Sequence, residues 1–219
     1  MCRFLLVLVA IILPIAKAKA YKPATPRTYQ SLSADGLFVF VMISPESLSE
    51  EVRHFRDDIQ VEIRAIRSKF SKAGMYRNDG SQEPLWTVDW YAYQVDVPAG
   101  GEHVIRYNSG GWYWMNHPQL AFYRRAELIR AYEMSDLVAT TVYLNHGGWL
   151  ASATLDDQTH TVAVTTKTFD RYTFDVHTGE MTSRYRPLVY AFRLLLLLAI
   201  LLPVWLVRRR RRRIALASR

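Results

Sequence analysis

The sequence has little of what a metalloenzyme or a thiol enzyme requires. It contains a single cysteine, Cys2, which lies in the export signal predicted below, so disulfides, thiolate catalysis and cysteine metal sites have no basis in the mature chain. The six histidines, at 54, 103, 117, 146, 160 and 177, show no HxH or HExxH spacing. No phosphate-binding loop, dinucleotide fingerprint or GxSxG motif occurs. We therefore predict no metal and no cofactor, and we favour a protein without catalytic activity.

Acidic residues are absent from both ends of the chain. Of its 28 lysines and arginines, 11 lie in the first 20 or the last 32 residues. The other 17 share residues 21–187 with all 20 acidic residues, which gives that middle region a net charge of about −3. The overall charge of +8 thus belongs to the ends. A basic surface for nucleic acid is not indicated, and we predict no nucleic-acid partner.

The first 20 residues have the organisation of a signal peptide. Arg3 supplies a short positive region, an apolar run follows over 4–16, and Ala18-Lys19-Ala20 has the small-x-small pattern of a cleavage site. The alternative is an uncleaved anchor helix, but 13 apolar residues span only about 20 Å of a hydrocarbon core about 30 Å thick. We predict a signal peptide over 1–20 and an exported domain over 21–187.

A second apolar run, 188–207, is 20 residues long and matches the thickness of a bilayer. Arg193 lies five residues inside one edge, from where its long side chain can carry the charge to the headgroups. Six cations follow the run directly, and cations that flank a span stay in the cytoplasm. We predict a transmembrane helix over 188–207 with the lipid bilayer as a partner, the domain outside, and a cytoplasmic tail over 208–219 whose topology is set by Arg208, Arg209, Arg210, Arg211, Arg212 and Arg213.

Two other interpretations of this C-terminus remain open. A soluble domain with an arginine-rich nucleic-acid arm leaves the five consecutive leucines at 194–198 unexplained. An apolar helix followed by arginines also resembles the C-terminal sorting signals of some bacterial surface proteins, which are removed by processing. No LPxTG, proline-glutamate-proline or paired-glycine box precedes the helix here.

The exported domain has mainly the patterns of β-strands. Asp35-Gly36 between two β-rich runs predicts a hairpin over 28–44, and alternation over 85–97 predicts a strand. One segment differs, because its apolar residues recur every three or four positions and predict a helix near 47–73, with Ser47 and Glu50 as a capping box. We predict a mainly β fold, an antiparallel meander forming a sandwich or blade-like hairpins, with one inserted helix and the C-terminal transmembrane helix.

Two stretches resemble known proteins. "YTFDVHTGEM" (172–181) resembles the strand-and-turn of quinoprotein-type β-propeller blades, in which an aromatic-x-aromatic-aspartate strand leads into a threonine-glycine turn. The resemblance covers about ten residues and implies blade-like hairpins. "MYRNDGSQEPLWTVDWYAYQV" (75–95) resembles a stretch of uncharacterised exported, membrane-anchored bacterial proteins, which implies no particular activity.

The best ligand-binding candidates are aromatic. "GGWYWMNHP" (110–118) places three adjacent aromatic side chains in a stretch bounded by glycine and proline, and adjacent side chains on a strand point to opposite faces. A platform for a glycan or an anchor for a partner protein needs such exposed rings. A shared inward face for the two tryptophans is the alternative to a binding role. The candidate residues are Tyr107, Trp112, Tyr113 and Trp114.

Carboxylates offer a third hypothesis, because glycoside hydrolysis requires only two acids across a cleft. Asp89 lies between two tryptophans, whereas Asp156 and Asp157 are adjacent and occupy a predicted turn. We favour surface and turn roles for all three. The functional prediction is therefore a single-pass, membrane-anchored binding or envelope-associated module with an unidentified protein or glycan partner, and the alternative is a carbohydrate-binding or carbohydrate-active module.

Overall fold

The computed structural model describes residues 25–108, 118–138 and 148–217, without the side chains at 203, 204 and from 206 onward. The predicted signal peptide lies outside these ranges. The described elements are β1 (Tyr29–Leu32), β2 (Phe38–Met42), α1 (Leu48–Arg53), α2 (Asp57–Lys69), β3 (Gly74–Arg77), β4 (Trp86–Thr87), β5 (Gln94–Asp96), β6 (His103–Tyr107), β7 (Leu120–Arg124), β8 (Glu127–Tyr132), α3 (Met134–Leu137), β9 (Leu150–Asp156), β10 (Thr161–Thr166), β11 (Arg171–Asp175), β12 (Met181–Tyr185) and α4 (Pro187–Ala217).

The strands form three four-stranded antiparallel sheets, and each sheet is a meander in chain order. The first sheet contains β1–β4, the second β5–β8 and the third β9–β12. The prediction of a mainly β, antiparallel fold is therefore confirmed. Each strand pairs with its neighbour in sequence, so every sheet is complete within one continuous stretch of chain.

The second sheet lies between the other two, with a separate core on each of its faces. On one face, Val95 and Val104 pack with Phe40 and Met75 of the first sheet. On the other face, the buried residues of the second sheet pack with those of the third, and this larger cluster includes Ile105, Tyr107, Leu120, Phe122, Val162, Val164, Tyr172 and Phe174. The alternation of β6 between the two cores follows from the period of two in a strand.

The outer face of the first sheet is covered by α2. Val39, Val41 and Tyr76 of the sheet pack with Ile66 of the helix and with Phe70, which caps it. The apolar stripe therefore predicted correctly that this segment contains a helix whose apolar face packs on the sheet. The prediction of one continuous helix near 47–73 is wrong, because the chain breaks between α1 and α2.

Local hydrogen bonds mark both sides of the break. The predicted capping box is present, because the Ser47 side chain accepts a hydrogen bond from the Glu50 amide and the Glu50 side chain accepts one from the Ser47 amide. α1 ends at Arg53 with His54 as its C-cap, and Gln60 of α2 donates its side-chain amide to the carbonyl of Phe55 at 2.8 Å. The break turns α1 so that Glu51 points into the domain, where it is fully buried.

The predicted strand over 85–97 is also interrupted. It contains β4 and β5, and residues 88–93 between them belong to no strand. Trp90, Tyr91 and Ala92 are consecutive, yet all three contact the core between the first and second sheets. A regular strand would direct every second side chain away from that core, so the segment leaves the ladder to bring all three inward.

The two predicted hairpins are present. Asp35 and Gly36 lie in the turn between β1 and β2, with Gly36 at φ 71°. The blade-like stretch 172–181 forms the β11–β12 hairpin, where the Asp175 carboxylate accepts the amides of His177 at 3.0 Å and Thr178 at 2.7 Å. Gly179 has φ 67°, and a Cβ there would lie 2.9 Å from the Cβ of Arg130, so only glycine fits this turn.

α4 continues from the third sheet after β12 and is helical over 31 residues. Among the residues that the structure describes, no helix is both long and apolar enough to cross a membrane. The span predicted over 188–207 stays a prediction.

Candidate functional site

The junction between the third sheet and α4 is held by one arginine. Arg186, the residue before α4, donates its Nε to the hydroxyl of Tyr172 at 2.8 Å, and its guanidinium carbon lies 5.7 Å from the centre of that ring. It also donates to the carbonyl of Asp136 in α3. The Tyr172 hydroxyl in turn donates to the carbonyl of Leu137 at 2.7 Å. Strand, short helix and α4 are thereby fixed to one another at the start of α4.

At this junction, strands of the second and third sheets end on the same side of the domain. We call this side the α4 edge. It comprises the end of β6, α3, the start of β9, the β10–β11 turn and the end of β12. Two contacts join these parts: the buried Trp149 indole donates to the carbonyl of Asn108 at 3.0 Å, and the Lys167 amide donates to the carbonyl of Trp149 at 2.8 Å. Within the described residues, these contacts join the end of β6, the start of β9 and the β10–β11 turn at the α4 edge.

The β10–β11 turn projects an aromatic ring from this edge. Phe169 is 68% exposed and has φ 63°, a left-handed conformation that costs a non-glycine residue about 1–2 kcal/mol. Its neighbours Thr166, Thr168 and Asp170 are fully or almost fully buried. The Thr168 hydroxyl donates to Asp170 at 3.0 Å, and the Asp170 amide donates to the hydroxyl of Thr166 at 3.1 Å. Buried hydrogen bonds thus hold the turn in the shape that exposes Phe169.

The sequence-predicted aromatic candidates are only partly described. Tyr107 is fully buried in the core between the second and third sheets, and its hydroxyl donates to the Asp96 carboxylate at 2.8 Å. Burial raises the pKa of Asp96 above its usual value, although this hydrogen bond opposes the shift. Tyr107 is therefore a core residue, and its role in binding a ligand stays a prediction. Trp112, Tyr113 and Trp114 lie outside the described residues.

The carboxylates take the surface and turn positions that we favoured. Asp89 is exposed. Asp156 caps the β9–β10 turn by accepting the amides of Gln158 and Thr159. The Thr159 side chain, and then these amides, hold the pKa of Asp156 below its usual value. Asp157 accepts the amide of Ala99 at 2.9 Å and so joins the third sheet to the second. A lowered pKa keeps Asp156 ionised, the opposite of what a general acid requires.

Three histidines that are far apart in sequence meet at the edge opposite α4. The rings of His103 and His177 are 4.7 Å apart, and those of His177 and His160 are 4.8 Å apart. They come from the start of β6 and from the turns that close β9–β10 and β11–β12. Within the described part of the chain, no group of three or more histidine, cysteine or acidic side chains has the geometry to hold a metal.

Burial of His103 makes the stability of the fold depend on pH. Desolvation is the main cause that lowers the pKa of His103, with smaller contributions from His177 and Arg124, while Glu102 and Asp175 oppose the shift. Unfolded His103 takes up a proton near its ordinary pKa of about 6.5, but folded His103 resists it. The stabilisation is therefore complete above about pH 6.5 and is lost as the pH falls through that value.

We expect the free energy of unfolding to decrease between about pH 7.5 and 5.5, and His103→Gln to reduce that decrease. Urea unfolding of the full chain in detergent at both pH values measures the effect. The matched control is His54→Gln, since His54 is exposed at the end of α1. The carboxylates whose pKa is lowered titrate below their ordinary range of about 4, and Asp96, whose pKa is raised, is present in both variants. An unchanged pH dependence in His103→Gln would contradict this assignment.

A partly buried cation between the first two sheets was missed by the sequence analysis. The guanidinium of Arg106 lies 5.1 Å from the ring of Trp90, and its Nη1 donates to the Tyr123 hydroxyl at 3.4 Å. Trp90 also packs on Tyr123, with ring centres 4.8 Å apart. Arg106 lies between the buried residues Ile105 and Tyr107 in β6. A charged residue at this place in an otherwise apolar strand is the sequence signal that could have identified it. The stacking stabilises a charge that strand burial would otherwise penalise.

No family profile matches the chain, and no curated protein matches it either.

Proposed function

We propose that this protein is a single-pass membrane protein whose β-rich domain lies outside the cytoplasm and acts as a binding or envelope-associated module. The observation that carries the proposal is the apolar surface of α4. Eight large apolar side chains, at 194–198 and 200–202, are each 51–64% exposed. Burying a leucine-sized side chain contributes about 1.5–3 kcal/mol, so a bilayer would stabilise this helix by a large multiple of that value.

The orientation rests on the charges at the two ends of the apolar run. Arg208–Arg213 follow it, whereas the domain side carries Arg184, Arg186 and Arg193. The greater number of cations stays in the cytoplasm. Tyr185 and Tyr190, with ring centres 5.9 Å apart, lie on the domain side, and Trp205 lies near the other end. Aromatic side chains at both ends are typical of membrane interfaces.

The architecture of the domain supports a binding module. Three consecutive four-stranded meanders packed face to face are the arrangement of propeller blades, and we propose that the blade-like hairpin at 172–181 is one part of it. The three aspartates that could serve as acids lie at the surface or cap turns. A binding role for the domain is therefore better supported than hydrolysis.

Membrane fractionation and a topology reporter test the anchor. We expect the full chain to stay in the membrane after alkaline washing, and a chain ending at Tyr190, which keeps Arg186, to be released. A reporter fused after Arg219 should be active only in the cytoplasm. Replacing all six residues of Arg208–Arg213 with glutamine should weaken this orientation, while replacement with lysine, the matched control, should preserve it. Retention of the shortened chain, or reporter activity outside the membrane, would refute the proposal.

A further inference from the structure

Strand pairing places Phe169 at the end of the third sheet from which α4 leaves the domain. Tyr185, the last residue of β12, pairs with Arg171, the first residue of β11. Neighbouring strands are about 4.8 Å apart, and Phe169 precedes Arg171 by two residues. α4 begins two residues after Tyr185. The exposed rings of Phe169, Tyr185 and Tyr190 therefore belong to one edge of the molecule.

This edge does not move freely relative to the helix. Arg186 binds the hydroxyl of Tyr172 and the carbonyl of Asp136, so the direction of α4 is fixed with respect to the third sheet. The hydrogen bonds among Thr166, Thr168 and Asp170 fix the turn that presents Phe169. Wherever α4 enters a bilayer, the same edge of the domain must face the bilayer surface.

Exposed cations outnumber exposed acids around these rings. Lys167, Arg171 and Arg184 are exposed at the α4 edge. Two acidic side chains are also exposed at this edge, Glu133 and Asp136, which accept backbone amides of α3 in a capping box. Asp170 is buried beneath the turn. Rings that reach the interface together with exposed cations are the combination that binds a membrane surface.

We propose that the α4 edge is a lipid-binding surface on which Phe169 inserts into the headgroup region of the membrane that α4 enters. The inference rests on the proposed membrane anchor and extends it, because it assigns one face of the domain to the bilayer. The left-handed backbone at Phe169 then has a function, since it directs an apolar ring outward at a point where lipid receives it.

Site-specific quenching by lipid tests this proposal. The full chain carries Cys2→Ser, and a single cysteine labelled with an environment-sensitive fluorophore replaces Phe169, Leu196 in α4, or Leu37. Leu37 is the matched control, because it is 65% exposed and lies in the β1–β2 turn at the edge away from α4. Each protein is reconstituted into phosphatidylcholine–phosphatidylglycerol vesicles with and without brominated acyl chains.

We expect brominated lipid to quench the probes at 169 and 196 and to leave the probe at 37 unchanged. Quenching at 196 without quenching at 169 would overturn the lipid-binding surface and leave the anchor intact. Loss of quenching at 196 would refute the membrane anchor itself, whatever happens at 169. Quenching at 37 equal to that at 169 would contradict a fixed orientation and overturn the assignment of this edge.

Discussion

Arg67→Ala is expected to lower the free energy of unfolding by about 3–5 kcal/mol, because it leaves a buried carboxylate without its countercharge. Arg67 in α2 donates Nε to Glu51 at 2.8 Å, and the Glu51 side chain is fully buried. The same guanidinium donates to the carbonyls of Ser44 and Glu46, both at 2.8 Å. Glu51 also accepts the amide and the hydroxyl of Thr28. Arg67 therefore joins both helices to the chain around β1 and β2.

Urea unfolding of the full chain in detergent measures this loss. The matched control is Arg56→Ala, because Arg56 pairs with Asp58 at 3.2 Å on the surface with 82% of its side chain exposed. Exposed pairs contribute about 0–1 kcal/mol, so the control should change the midpoint little. Arg67→Lys is expected to recover only part of the stability, since lysine lacks the planar fork that contacts several acceptors. Equal effects of Arg67→Ala and Arg56→Ala would refute a buried network.

Trp149→Ala is expected to cost about 3–5 kcal/mol, the usual range for removing a large buried aromatic side chain. Trp149 is fully buried in the core between the second and third sheets. Its indole also donates to the carbonyl of Asn108 at 3.0 Å, which links the start of β9 to the end of β6. The substitution thus removes packing and a contact between the two sheets together.

Trp149→Phe separates these two contributions. It keeps most of the apolar volume and removes the hydrogen bond, so we expect a smaller loss of about 1–3 kcal/mol. Leu128→Ala is the control, because Leu128 is 53% exposed, and it should fall within about 0.5 kcal/mol of the parent. Thermal unfolding followed by near-ultraviolet circular dichroism reports the three variants. If Trp149→Ala were as stable as Leu128→Ala, the contacts of Trp149 between the second and third sheets would not contribute to stability.

Local sequence patterns correctly predicted helices and turns that depend on contacts between residues close together in the chain. Asp35-Gly36 located the first hairpin, and the apolar stripe in α2 located Ile63 and Ile66, both of which are buried. The interruption at 54–56 was not predictable from that stripe. The interruption allows Glu51 of α1 to pair with Arg67 of α2. The spacing of apolar residues does not indicate a buried ion pair, so this contact could not be predicted from it.

The candidate site was harder to predict for the same reason. Phe169 stands in an ordinary threonine-rich turn, and nothing in the sequence shows that the three polar residues around it are buried while the ring is exposed. His103, His160 and His177 lie in three separate turns or strand ends, so their proximity follows only from the packing of the third sheet on the second. For Tyr107, the neighbouring aromatic stretch suggested a ligand-binding residue, whereas the structure places its side chain in the core.

The chain-order meanders also bear on the order in which this protein folds. The pairing partners of the first sheet lie within 29–87, those of the second within 94–132, and those of the third within 150–185. Pairing among near neighbours in sequence closes short loops, which favours rapid folding. Each sheet can therefore form its strand pairs from its own stretch of chain. Arg186 could bind Tyr172 only after the third sheet had formed, so the attachment of the domain to its helix would be the last step.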